Sequence, residues 1–175
     1  MISRQRETTL FSERDIARRV GEIAREIAAR PERPDIAVPI LSGGYVFAAD
    51  LMRALSAHGM DLETEFMWLR AYGGRQNPGE VRVLLGPSEI VRERNVLLID
   101  GVLDSGATAR RARTLLQDAG AASVVFAVAV RKRHPSAAAS ADHVCFDAGP
   151  EFLYGYGMDR AGLKRGHPDI RTLAL

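Results

Sequence analysis

Cysteine is nearly absent from this sequence of 175 residues, because Cys145 is the only one. One thiol cannot form a disulfide within the chain, and a cysteine inside the apolar run 143–146 is expected to pack as a buried thiol and not to act as a nucleophile. The sequence also lacks an apolar run long enough to span a membrane, and no apolar stretch follows the first arginines as a secretory signal would require. We therefore expect a cytoplasmic protein with no membrane partner.

A strong excess of one charge sign is missing as well. The sequence has 24 Lys and Arg against 22 Asp and Glu, a formal net charge of +2, and an isoelectric point of about 9.0. This mildly basic balance favours a polyanionic small molecule but does not argue for nucleic acid. Arg110, Arg111 and Arg113 lie close together in a predicted helix, where a solvated helix face is favoured over an RNA-binding patch. Nucleic acid is therefore not expected as a partner.

Alternating strands and helices predict the fold class. Ser12 followed by Asp15 resembles a capping box, and apolar residues then recur at helical spacing from Ile16 to Ile27. The other predicted elements are strands at 36–41, 63–69, 81–85, 96–99 and 123–130, helices at 46–58 and 108–120, and a loose arm or edge segment at 1–9. With 46% hydrophobic residues, the chain is expected to form one α/β domain over residues 1–175.

The stretch 96–108 carries the strongest functional signal. An apolar strand runs into a polar turn and then a helix, and Ser105, Gly106, Ala107 and Thr108 offer two hydroxyls and a row of backbone N–H groups to a phosphate. Asp100 and Asp104 stand beside this turn and would repel a phosphate unless a cation or sugar hydroxyls lay between. The stretch therefore suggests a phosphorylated sugar bound with magnesium.

This stretch resembles the phosphoribosyl-pyrophosphate signature of the type I phosphoribosyltransferases. The signature is an apolar strand, two acids, two apolar residues, Asp, Ser or Thr, Gly, any residue and Thr. One position departs from it, because the second acid is replaced by Gly101. The resemblance implies that the phosphoribosyl group is bound by Asp100, Asp104, Ser105, Gly106, Ala107 and Thr108, and that Asp104 is the catalytic base. It also implies a twisted, mainly parallel sheet with helices on both faces, and a small hood built from the N-terminal and C-terminal segments.

Two further segments resemble the hypoxanthine-guanine members of that family. The turn after the strand 36–41 resembles their pyrophosphate loop, which implies roles for Ser42 and Gly43, although Ser42 stands where the family often has lysine. Taken alone, an ordinary tight turn is an equally good interpretation. The segment 70–79 resembles their mobile loop, with Ala71 and Tyr72 in place of a Ser-Tyr pair. A plain flexible hairpin is the alternative.

The stretch 150–159 and Arg165 resemble the base-binding part of the same enzymes. By this match Phe152 stacks on the purine, the backbone of Leu153 reads its edge, Asp159 belongs to the base site and binds magnesium together with Asp100, and Arg165 contacts pyrophosphate. Lys132, at the end of the strand 123–130, would bind the exocyclic oxygen of the base. Without the resemblance, the aromatic residues of this stretch would be interpreted as core residues.

The activity implied is transfer of 5-phosphoribosyl from its 1-pyrophosphate to hypoxanthine or guanine, with Mg²⁺ as cofactor and a homodimer or homotetramer as the assembly. A non-catalytic or altered-specificity nucleotide sensor is the alternative, and the departures at Ser42, Ala71 and Gly101 keep it open. We expect Gly101→Asp to tighten donor binding if the missing acid is all that Gly101 changes. If the glycine is needed for a positive φ or for space, the substitution should instead weaken binding.

Overall fold

Two β-sheets and three α-helices make up the described part of the protein. The computed structural model describes residues 7–71, 80–133 and 139–173. The helices are α1 Glu13–Ala28, α2 Tyr45–Ser56 and α3 Ala107–Asp118, with one short 3₁₀ turn at Glu89–Val91. The strands are β1 Glu7–Phe11, β2 Ile36–Leu41, β3 Glu63–Thr64, β4 Met67–Ala71, β5 Val81–Leu85, β6 Asn95–Leu103, β7 Ser123–Lys132, β8 His143–Ala148, β9 Leu153–Tyr154 and β10 Ile170–Leu173.

The larger sheet has the strand order β5-β4-β2-β6-β7-β8, and β3 pairs with the first residues of β2. Every pairing in it is parallel except that of β4 with β5. The central strands are almost wholly apolar because helices cover both of their faces. The predicted α/β fold with a mainly parallel sheet is confirmed. None of the described helices is long and apolar enough to cross a membrane.

Each face of the sheet has its own core. Helices α1 and α2 pack on one face through large apolar side chains such as Ile23, Phe47 and Leu51, all fully buried. Helix α3 covers the other face, where Leu116 packs with Phe126 of β7. This two-sided packing buries the strands, and their parallel pairing brings the carboxyl ends of β2, β4, β6 and β7 to one edge of the sheet.

The start of α1 follows the predicted capping pattern. Ser12 is the N-cap, and its side chain accepts a hydrogen bond of 3.2 Å from the Asp15 amide. The residues buried on this helix include Ile16, Val20, Ile23 and Ile27, the face that the sequence spacing predicts. Capping of this kind stabilises a helix by about 1 kcal/mol.

The arginine cluster on α3 divides into two kinds of residue. Arg110 and Arg111 are exposed, as expected for a solvated helix face. Arg113 instead lies over the Phe126 ring, with 5.8 Å between guanidinium carbon and ring centroid, and forms a 3.1 Å ion pair with Asp142. Arg113 therefore ties α3 to the segment before β8.

The smaller sheet joins the two terminal segments. Its order is β1-β10-β9, and both pairings are antiparallel. Asp169 anchors it by accepting hydrogen bonds from the Thr9 hydroxyl at 2.7 Å and from the Arg171 guanidinium at 2.8 Å. Residues 7–9 are thus part of an edge strand, one of the two alternatives that the sequence left open.

Several strand boundaries differ from the sequence predictions. The predicted strand 63–69 is divided into β3 and β4, which pair with the same strand β2. Strand β6 was expected to end at Ile99, but it continues to Leu103 because its neighbour β7 also runs on and the two pair as far as Leu103 and Arg131. Asp100 and Gly101 are therefore strand residues and not turn residues.

Candidate active site

A cleft of about 770 Å³ opens at the carboxyl ends of the parallel strands. This is the place where open α/β sheets bind ligands. It is lined by all the site residues expected from the sequence that fall in the described ranges, which are Ser42, Gly43, Ala71, Asp100, Asp104, Ser105, Gly106, Ala107, Thr108, Lys132, Phe152, Leu153, Asp159 and Arg165. Tyr72 lies outside the described residues. The cleft thus brings together side chains more than 100 positions apart in sequence.

The turn between β6 and α3 is built to receive an anion. Gly106 is the N-cap residue of α3 and has φ +81°, a left-handed conformation that favours glycine. It has no side chain to cap the helix, the Ala107 N–H donates a hydrogen bond of 3.5 Å to the Ser105 hydroxyl, and residues 105–108 line the cleft. The N-terminus of a helix favours negative charge, so a phosphate fits here.

Asp104 and Lys132, which both line the cleft, form an ion pair. Lys132 Nζ lies 3.3 Å from Asp104 Oδ2. The pairing of β6 with β7 explains this proximity, since Leu103 and Arg131 are register partners and the two charged residues follow them. The lysine side chain is 14% exposed and the aspartate 53%. Of the two, the carboxylate is the more open to a ligand.

Asp100 is a buried carboxyl group without a cationic partner in the described part of the chain. Its Oδ1 accepts a 2.7 Å hydrogen bond from the Gly101 N–H. Burial raises the pKa of Asp100 to about 7, and that hydrogen bond offsets only part of the effect. The side chain therefore changes its charge near neutral pH.

Three glycines, Gly43, Gly101 and Gly157, meet in what we call the glycine contact. A Cβ atom placed on Gly101 would lie 2.5 Å from the Gly43 carbonyl oxygen, and one on Gly157 would lie 2.6 Å from the same oxygen. Gly101 does not have a positive φ, whereas Gly157 does, at +94°. Of the two alternatives for Gly101, the structure favours the need for space: no side chain fits at 101 unless the turn after β2 moves.

Arg165 holds the segment after β9 in place. Its Nη1 donates to the Gly157 carbonyl at 2.6 Å, and its Nη2 donates to Asp159 Oδ1 at 2.8 Å. The other carboxylate oxygen of Asp159 accepts from the Gly162 N–H at 2.7 Å. The residues expected to contact pyrophosphate and magnesium are therefore ion-paired with each other.

The aromatic residues of 150–159 have two different environments. Phe152 is 51% exposed and lines the cleft, whereas Tyr154 and Tyr156 are buried in the core. The Tyr156 hydroxyl donates to Asp50 Oδ2 on α2 at 2.8 Å. Phe152 is thus the one of these three rings with a face available to a planar ligand.

Sequence reasoning missed several lining residues, notably Trp68 and Arg70 of β4. The sequence placed Arg70 in a flexible connection, but β4 continues to Ala71. Side chains of a strand point alternately to its two faces, and this alternation is the signal that could have identified both residues. Met67 and Leu69 are buried, whereas Trp68 and Arg70 are exposed.

The cleft suits a magnesium ion that arrives with a phosphorylated ligand. Within the described ranges, no three His, Cys, Asp or Glu side chains converge to hold a metal by themselves. Magnesium in enzymes is commonly held by one or two carboxylates together with substrate phosphates and water. Asp159 and Asp100 line the same cleft and fit that donor set.

A family model, curated relatives and solved structures all indicate the same kind of protein. Residues 7–160 match the family model described as "Phosphoribosyl transferase domain". The hypoxanthine-guanine phosphoribosyltransferase of Aquifex aeolicus is 32% identical over 92% of this chain and 91% of its own length. The hypoxanthine-guanine phosphoribosyltransferase of Dictyostelium discoideum is 30% identical over 94% of this chain and 93% of its own length. A solved hypoxanthine phosphoribosyl transferase of Trypanosoma cruzi superposes with a TM-score of 0.85 at 29% identity, covering 95% of this chain and 90% of that one.

The raised pKa of Asp100 predicts a specific pH dependence of stability. In the unfolded chain this carboxyl has its ordinary pKa of 3.8, and in the folded protein its pKa is about 7. Between these values the folded state binds more protons, so the free energy of unfolding should fall as pH rises, by up to about 1.4 kcal/mol per pH unit from this group. Above the folded pKa its contribution is constant.

Urea unfolding of the wild type and Asp100→Asn at pH values from about 5 to 8 checks this. The difference in unfolding free energy between the two proteins should change in favour of Asp100→Asn as pH rises. Glu32→Gln, at an exposed carboxylate, is the control and should run parallel to the wild type. Parallel curves for Asp100→Asn would mean that the group ionises at its ordinary pKa.

Proposed function

Since the chain belongs to the phosphoribosyltransferases, and within them to the hypoxanthine-guanine phosphoribosyltransferase family, we propose that it acts in purine salvage. It transfers 5-phosphoribosyl from phosphoribosyl pyrophosphate to hypoxanthine or guanine, giving the nucleoside monophosphate and pyrophosphate. The observation that carries this proposal is the Asp104–Lys132 pair beside the 105–108 turn, which sets a proton acceptor and a donor for a 6-oxopurine next to a phosphate cradle.

The donor lies along the edge formed by β2 and β6. Ser105, Gly106, Ala107 and Thr108 bind the 5-phosphate through the first turn of α3. Asp100 holds a ribose hydroxyl, which its position in the lining of the cleft supports.

The leaving pyrophosphate meets the turn after β2. Ser42 and Gly43 offer backbone donors, and Arg165 offers a guanidinium group. Asp159 and Asp100 would hold magnesium, which when bound would supply positive charge to the leaving group.

The base lies between Phe152 and the Asp104–Lys132 pair. Phe152 stacks on the purine ring, and the backbone of Leu153 together with Asp159 borders its edge. Lys132 donates to the exocyclic oxygen, which hypoxanthine and guanine have and adenine replaces with an amino group.

Cleavage of the bond from ribose C1 to pyrophosphate gives a cationic, oxocarbenium-like sugar. Water must be kept from that centre, and the incoming N9 must become nucleophilic as the purine loses a proton. Asp104 accepts the N7 proton, and its 53% exposure supports access to the base. Ala71, at the end of β4, and Tyr72 belong to the loop that covers the reacting atoms.

The remaining features of the proposal concern the whole molecule. The smaller sheet β1-β10-β9 forms the hood, which the position of β9 next to Phe152 supports. The protein works in the cytoplasm as a homodimer or homotetramer with Mg²⁺.

The direct test of the function is an assay of pyrophosphate release with phosphoribosyl pyrophosphate, magnesium and single purines. Hypoxanthine or guanine should be converted, and adenine should be at least about 10-fold poorer in kcat/KM because its amino group leaves Lys132 badly paired. Adenine turnover equal to hypoxanthine would remove Lys132 from the base site. Failure with both 6-oxopurines, in a folded protein, would favour the nucleotide sensor or a different base.

Asp104→Asn tests the proton acceptor. An amide cannot take the N7 proton, so kcat should fall roughly 10²–10⁴-fold while donor binding changes little. Asp118→Asn, on the exposed side of α3, is the matched control and should leave kcat unchanged. If Asp104→Asn lost donor affinity and kept kcat, the residue would be a ligand for the sugar instead.

A further inference from the structure

Among the described residues, three cationic side chains line the cleft, and they differ in what they are paired with. Lys132 is paired with Asp104, and Arg165 is paired with Asp159. Arg70 forms no ion pair with a carboxylate in the described part of the chain, and its guanidinium carbon lies 6.0 Å from the centroid of the Trp68 ring. Of these three cations, Arg70 is therefore the one without a carboxylate partner among the described residues.

The position of Arg70 follows from strand geometry. Side chains alternate along β4, so Trp68 and Arg70 share one face, which is exposed, while Met67 and Leu69 are buried on the other. Strand β4 pairs in parallel with β2, and Leu41 is the register partner of Trp68. Beyond Leu41 the chain enters the turn of Ser42 and Gly43, which lines the same cleft as Arg70. Arg70 and this turn thus occupy neighbouring strand ends.

The turn itself offers a pyrophosphate little charge. Ser42 is neutral, and both terminal nitrogens of Arg165 already donate, one to the Gly157 carbonyl and one to Asp159. A polyanion in this place needs a cation, and a guanidinium group binds phosphate oxygens with two parallel hydrogen bonds. Arg70 has the required charge, and no described carboxylate occupies its guanidinium group.

We propose that Arg70 binds the pyrophosphate group of the donor and that Trp68 is a positioning residue, which holds the guanidinium at the cleft wall by a cation–π contact. The proposal rests on the proposed function, because it names a further ligand of the same substrate. It also gives Trp68 and Arg70 a role in substrate binding, whereas the stability of an exposed strand face does not require a tryptophan and an arginine there.

The chain offers a matched control for Arg70. Arg82 of β5 is the cross-strand partner of Arg70 and is also exposed. Unlike Arg70, it does not line the cleft. Removing either arginine changes the net charge by the same amount, so a difference between the two variants reports on position and not on total charge.

Binding of magnesium pyrophosphate and of phosphoribosyl pyrophosphate should be measured by calorimetry. Arg70→Gln should raise both Kd values about 10–100-fold, because a hydrogen bond to a charged group is lost. Arg70→Lys should fall between Arg70→Gln and the wild type, Arg82→Gln should match the wild type, and the KM for the purine should not change. Equal Kd values for Arg70→Gln and the wild type would overturn the proposal.

Trp68 is the only tryptophan in the sequence, so its fluorescence reports on this place alone. Saturation with pyrophosphate should change the emission of the wild type and of Arg82→Gln, and should change it less in Arg70→Gln. Trp68→Leu should raise the Kd for pyrophosphate about 2–5-fold, as expected for an exposed cation–π contact. In the Arg70→Gln background the same substitution should have no further effect. An equal effect in both backgrounds would contradict the positioning role.

These outcomes separate the proposal from the function it rests on. A wild-type protein that binds neither phosphoribosyl pyrophosphate nor pyrophosphate would contradict the proposed function itself. A wild type that binds and turns over substrate, with Arg70→Gln unchanged in both Kd values, would contradict only the role of Arg70.

Discussion

The close approach of three backbone segments at the glycine contact is the constraint on which the cleft depends. The Gly43 carbonyl lies where a Cβ on either Gly101 or Gly157 would stand. The contact therefore joins the turn after β2, the end of β6 and the segment after β9, which carry the residues proposed to bind pyrophosphate, ribose and base. Arg165 fixes the third segment by donating to the Gly157 carbonyl.

Most charged side chains of the cleft are already paired within the described part of the chain. Asp104 and Asp159 each have a cationic partner, and Asp100 is buried with a pKa of about 7. A donor that brings several negative charges must therefore replace some of these pairs, arrive with magnesium, or bind a cation that has no carboxylate partner. Arg70 of β4 is the residue proposed to be that cation.

Much of the fold could be predicted from the sequence because apolar strands, helical spacing and the Ser12 cap are local signals. The site residues could be grouped because parallel strands end at one edge. The rest depends on contacts between distant segments. The continuation of β6 through Gly101 follows from pairing with β7, and the need for a glycine there comes from Gly43, 58 positions away in the sequence. Arg70 was missed because the sequence that follows it is rich in glycine.

The most direct measurement is donor affinity in variants at Gly101. The account predicts that Gly101→Ala and Gly101→Asp both weaken binding of phosphoribosyl pyrophosphate, by about 10-fold or more, because even one methyl group displaces the Gly43 turn. Gly21→Ala, where a Cβ meets nothing within 4 Å, is the control and should bind as the wild type does. Circular dichroism and thermal unfolding establish that each variant is folded. Tighter binding by folded Gly101→Asp would contradict the account, since the glycine would then be only a missing acid.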